Sequence, residues 1–217
     1  MANFSTHINT AALVSGVGAM GLVYADLIDK NESFILFFAG IIGGILPDID
    51  HDKSTLLKIM EFFFANLISF LVVFKYIGDY PLMKLVLLWI FAYICVSFAF
   101  YIFKKFTHHR GMFHSVTAAF LFMFLTTDIG YYFFELNTNL SYMTGFFVFL
   151  GYITHLILDE IYAVDVAGVH IKHSFGSALK LFSNSTVATT AFFAVLAVFC
   201  YILPQKAYLI NVLEKVF

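Results

Sequence analysis

LMKLVLLWIFAYICVSFAFYIF, residues 82–103, carries one charged side chain, Lys84, and its reading decides the fold class. About 20 consecutive apolar residues are what a helix needs to cross the hydrocarbon of a bilayer. Lipid satisfies no backbone polar group, so such a segment must close its hydrogen bonds within itself, as a helix does. Carried outward along the chain, the same ruler marks seven spans, at 9–27, 33–47, 57–77, 82–103, 112–134, 143–163 and 186–203. The second is short and glycine-rich (Gly40, Gly43, Gly44) and stops at Pro47, as either a tilted full span or a re-entrant segment packed against protein.

Composition agrees with this reading. The chain is 61% hydrophobic and only 12% charged, and 29 of its 217 residues are Phe, far too little charge to cover the surface of a soluble domain. With no internal repeat or linker, the expectation is an all-α, polytopic transmembrane bundle forming one domain, 1–217. Net charge is −2, so no broad basic field exists to attract nucleic acid. Cys95 and Cys200 sit inside apolar runs and read as packed or lipid-facing thiols. The first charged side chain is Asp26, so the basic n-region of a cleavable signal peptide is missing.

Seven spans put the N-terminus and the second, fourth and sixth loops on one side. That side carries Lys53, Lys58, Lys104, Lys105, Arg110, Lys172 and Lys180, against Lys30, Lys75, Lys84, Lys206 and Lys215 on the other. The positive-inside rule assigns the first side to the cytoplasm.

Four stretches concentrate the unusual polar residues: Thr6-His7, Leu46-Pro47-Asp48-Ile49-Asp50-His51-Asp52, Thr107-His108-His109-Arg110-Gly111-Met112-Phe113-His114-Ser115, and His155 with Asp159. The span count places the first three at one membrane face and the fourth within about two turns of that face. His155 and Asp159, spaced i, i+4, project from one helix face as a chelating pair or a helical hydrogen bond. Ionisable groups at this depth cost roughly 2.5–3.5 kcal/mol on insertion scales, which favours a functional role. Glu160 points elsewhere and reads as an end-of-helix charge.

Pro47 is expected to end the second helix and give an extended path in which Asp48, Asp50 and Asp52 alternate toward one side. A calcium loop of the EF-hand type does not fit, because Lys53 and Ile59 occupy the positions that need Gly and Glu. Gly111 allows a bend that brings His109 and His114 together, and the guanidinium fork of Arg110 suits a phosphate or carboxylate, or anchors the chain at the membrane face. Ser115 reads as a cap rather than a nucleophile. His7 shares the face of the cluster, whereas His170 and His173 read as a solvated pair; His51 either ligates or orients a carboxylate, and His108 is left outside the set. HExxH, GxSxG and Walker motifs are missing, as are the PSGH and Ser-Arg elements of phosphatidic-acid-type phosphatases.

On His7, the Leu46–His51 stretch, His109-Arg110-Gly111, His114-Ser115 and His155 with Asp159, the sequence resembles the YdjM-like family of bacterial and archaeal inner-membrane proteins, described as membrane-bound metal-dependent hydrolases. Phe113 departs from the small polar residue expected before the His-Ser pair. The order of early His, Asp, clustered His and HxxxD is also faintly similar to zinc-dependent phospholipases C.

Residues and resemblance together give the expectation of an inner-membrane hydrolase with its site at the cytoplasmic face. One or two divalent ions, zinc favoured, would be held by His7, Asp48, Asp50, His109, His114, His155 and Asp159. Asp48 or Asp50 would act as base on a metal-bound water and Arg110 would hold an anionic group. An interfacial site suits an amphiphilic, lipid-like substrate, a phosphoester first and an ester or amide next. The alternatives are a metal transporter or sensor, which needs polar residues such as Glu61 and Asp128 continuing through the membrane, and a scaffold in which the cluster only knits helices.

Overall fold

The computed structural model describes residues 3–50, 55–106, 113–165, 170–171, 179–181 and 186–205. Among these residues seven α-helices follow in chain order: α1 (Phe4–Tyr24), α2 (Lys30–Ile45), α3 (Thr55–Lys75), α4 (Leu82–Phe106), α5 (Val116–Tyr132), α6 (Thr138–Ala163) and α7 (Thr186–Ile202). After α6, β1 (Val164–Asp165) and β2 (His170–Ile171) pair as a two-residue antiparallel ladder. Each helix matches one of the seven spans read from the sequence. Five are long and apolar enough to cross a membrane, α2 with its extension to Asp48 among them; α5 and α7 are shorter, at 17 residues each. Large apolar side chains such as Leu13, Phe38, Phe62, Phe91 and Tyr201 point outward, as lipid-facing surfaces do.

Local chemistry fixes the helix starts. Asn3 caps α1 by accepting from the Thr6 amide at 2.8 Å, Asp29 and Glu32 form a reciprocal capping box on α2, and Ser115 accepts from the Ala118 amide at 3.1 Å to cap α5. Each satisfies an amide that neither the helix nor lipid would.

The chain forms two compact units. One comprises residues 1–47 and 112–217; the other, residues 48–111, is inserted between them. In the inserted unit α3 and α4 pack side by side with Leu57, Ala65 and Leu85 buried, and Gly78, at φ +96°, takes the left-handed conformation in their connection.

In the first unit α6 is the central helix, packed against α1, α2 and α5, while α7 packs on α5. Small residues set the spacing. A Cβ added at Gly43 would fall on the backbone carbonyl of Val148, one at Gly151 on the carbonyl of Gly40, and one at Gly44 on the Ala11 methyl. Gly40 and Gly44 thus form a G-x-x-x-G face that lets α2 approach both α1 and α6 at backbone distance. On α1 the buried stripe is His7, Ala11, Ser15 and Ala19, at strict four-residue spacing.

The stretch after α2 corrects one expectation. Pro47 does not release an extended segment: Leu46 stays in the right-handed helical region (φ −57°, ψ −35°), and Leu46–Asp50 continues as a 3-10 turn. Proline's fixed φ matches a 3-10 turn, and its missing donor sits where the helix is ending anyway. With three residues per turn, a 3-10 turn does not keep alternate positions on one face as an extended strand would.

Candidate metal centre

Three helices bring four ionisable side chains together at one end of the first unit. His7 lies in the first turn of α1, His114 immediately precedes the Ser115 cap of α5, and His155 and Asp159 stand one turn apart near the end of α6. All four are buried, none more than 3% exposed. Burial of this kind inside an apolar bundle demands either mutual pairing or a shared ion.

Asp159 is the hub. One carboxylate oxygen, Oδ1, is 3.4 Å from Nε2 of His7, and the other, Oδ2, is 3.8 Å from Nε2 of His114. The His7 and His155 rings stack at 3.6 Å between centroids, with planes 10° apart, and the His114 ring meets His155 edge-on at 5.8 Å.

The backbone of α2 orients the third imidazole. Nδ1 of His155 lies 2.7 Å from the Gly44 carbonyl oxygen. A carbonyl only accepts, so Nδ1 carries the proton and Nε2 keeps its lone pair for a metal. A ring N–H spent on a backbone carbonyl is the usual outer support of a ligating histidine. Glycine at 44 makes the approach possible, since any side chain there would run into Ala11.

His114 is held from two sides. The Tyr152 hydroxyl, one turn before His155 on the same helix, donates to the Phe113 carbonyl. The Val116 amide donates to the Lys180 carbonyl at 3.0 Å, and the Thr117 hydroxyl donates to the Leu181 carbonyl at 2.7 Å. The chain entering α5 is therefore clamped between α6 and the 179–181 segment, with His114 at the clamp.

These residues fit a metal ion. His7, His155 and Asp159 each offer a ligand atom, and all three atoms lie within 4.8 Å of one another. Donors bound at roughly 2.0–2.2 Å in a tetrahedron sit roughly 3.3–3.6 Å apart. The 3.4 Å His7–Asp159 separation falls within that range, and the 3.8 Å His114–Asp159 separation lies just beyond it. Two or three imidazoles and a carboxylate make up a donor set typical of zinc. Nδ1 of His7 is buried without a hydrogen-bond partner among the described residues.

Of the residues singled out from the sequence, His7, His114, His155 and Asp159 come together here. Asp48 is half-buried in the 3-10 turn, which Asp50 also belongs to through its backbone. His51, His108, His109, Arg110 and His173 lie outside the described residues, and of His170 only the backbone, in β2, is described. Sequence reasoning missed Gly44 and Tyr152. The G-x-x-x-G spacing and a tyrosine one turn before His155 were the available signals.

A family model described as YdjM inner membrane protein matches residues 1–208. No curated protein and no solved structure matches the chain.

Proposed function

The chain belongs to the YdjM inner membrane protein family, and from that premise we propose that it is a membrane-bound metal-dependent hydrolase with zinc as its ion. His7, His155 and Asp159 would hold the ion, and His114 would stand at the second carboxylate oxygen. The observation that carries this reading is the convergence of four buried donors from three helices, with the His155 tautomer set by the Gly44 carbonyl.

Bound there, the ion would bring the pKa of a water toward about 7 and supply hydroxide at neutral pH. The chain's own residues set the conditions for that chemistry. Asp159 places negative charge between two imidazoles and divides its oxygens between them. The Gly44 carbonyl orients His155 and the Tyr152 hydroxyl holds the Phe113 carbonyl next to His114, outer support that would preorganise the donors. Tyr152 and Leu156, beside the donors on α6, are fully buried. Asp48 or Asp50 as base and Arg110 as anion clamp are proposed from the sequence alone.

The donors belong to the first turn of α1, the entry to α5 and the last turns of α6. Ends of spanning helices lie toward the headgroups, which supports a lipid-like substrate, a phosphoester first; the cytoplasmic face is proposed from the positive-inside count alone. A transport role asks for polar side chains leading through the membrane. Beyond the centre, buried Ser15, Thr127, Asp128 and Thr144 are the described polar candidates, set among buried Leu121, Phe147 and Val148.

The test pairs metal content with turnover. Purified wild-type protein should carry stoichiometric zinc and hydrolyse a phospholipid or isoprenoid phosphate in mixed micelles, and chelation should abolish both. His155→Ala with Asp159→Ala should lose metal and activity together. Turnover that survives the double substitution would end the assignment, and a metal-free protein whose unfolding ignores chelator would point to the scaffold.

A further inference from the structure

The opposite end of the same unit holds a second buried ionisable group. Asp128 sits one turn before the end of α5, roughly 18 Å along that helix from its first residue. It is 5% exposed, and neither carboxylate oxygen has a hydrogen-bond partner among the described residues.

The packed neighbours contain nothing described that would neutralise a charge. Asp128 is the one charged residue of α5, and α7 has none. The charged residues of α6, Asp159 and Glu160, lie at the other end with His155. Among the described residues of α5, α6 and α7 at this end, the other titratable side chains are tyrosines and a thiol. Tyr142 donates to the Pro204 carbonyl at 2.7 Å and Tyr132 to the Ile202 carbonyl at 2.9 Å; Tyr131, Tyr201 and the exposed Cys200 complete the set. Glu135, in the α5–α6 connection, is exposed. The nearby hydroxyls are spent on their own helices: Thr127 donates to the Met123 carbonyl, Ser141 to that of Asn137 and Thr144 to that of Leu140.

A carboxylate buried in an apolar bundle without a donor or a cation is the arrangement that physical chemistry disfavours most, and the group resolves it by taking a proton. We propose that Asp128 is a proton-binding site, a carboxylic acid that carries its proton in the folded protein and is independent of the metal centre.

A hydrophobic carbodiimide tests this, because it reacts with protonated carboxyls in apolar surroundings. The acid proton moves to one carbodiimide nitrogen and the carboxyl oxygen bonds to the central carbon. The O-acylisourea then rearranges to a stable N-acylurea, adding the whole reagent mass. Full-length protein in detergent should take dicyclohexylcarbodiimide at Asp128 as its dominant modified carboxyl, located by peptide mass mapping. Labelling should fall as pH is raised and be the same before and after metal chelation, so failure of the metal reading would leave this outcome intact. Asp128→Asn should lose the label. The mapping on wild-type protein stands even if that variant does not fold. Wild-type protein left unmodified at Asp128 at neutral pH, or modified mainly at exposed Asp29 and Glu135, would overturn the proposal.

Discussion

Asp159 offers one oxygen to each of two imidazoles, so its charge and its shape are separable by substitution. Asp159→Asn keeps the volume and removes the charge; metal affinity should drop by more than about tenfold, read by competition with a chromophoric chelator. Retention of wild-type affinity would place the ion elsewhere. Tyr152→Phe removes only the hydroxyl that grips the Phe113 carbonyl. Its expected cost is about 1 kcal/mol of stability, with a tenfold or larger loss of metal affinity through a loosened His114. A variant that loses stability but binds metal normally would reduce Tyr152 to a packing residue. At this scale the sequence singled out His7, His114, His155 and Asp159, which the fold brings together, since buried ionisable residues in apolar helices are expensive. It was silent about the Gly44 carbonyl as a partner of His155, because every residue possesses a carbonyl.

Helix α2 reaches α6 by giving up side chains, and that makes its glycines unequal. Gly43→Leu would drive Cβ into the Val148 backbone, and overpacking of this kind costs typically 1–3 kcal/mol. Because the displaced helix carries the Gly44 carbonyl away from His155, the thermal midpoint and metal content should fall together. Gly21→Ala is the matched control. Nothing lies within 4 Å of an added Cβ there, so the change should be neutral or stabilising by up to about 1 kcal/mol. The spans themselves were legible because their apolar length is a local property. The path after Pro47 was not. The expected extended segment with aligned carboxylates is a 3-10 turn, a choice between two conformations that proline's φ allows equally.

Folding and metal binding should be linked across the molecule. An ion that binds the folded unit alone raises stability by about 2.7 kcal/mol at a hundredfold excess over its dissociation constant. Thermal unfolding in detergent should therefore shift upward with zinc and downward with chelator. Acidification should reverse the zinc shift, because ligating imidazoles must be deprotonated. A midpoint indifferent to zinc would speak against a built site. Accessibility labelling of single cysteines placed in an otherwise cysteine-free protein should put the N-terminus and the 166–185 region on one side of the membrane. Opposite sides would separate His7 from the end of α6 and undo the shared centre.

Apolar length and the scarcity of charge, both read one residue at a time, determined that this is a helical membrane protein and where the seven helices of the described residues run. Bilayer thickness and the absence of water around the backbone leave a chain of this composition little other choice. Only tertiary packing decided which of those polar residues meet. The approach of α2 to α6 through glycine, the clamp on the entry to α5 and the tautomer of His155 depend on contacts between residues as far apart as 44 and 155. No local pattern encodes a distance across the bundle, because it is set by which side chains are absent from the contact.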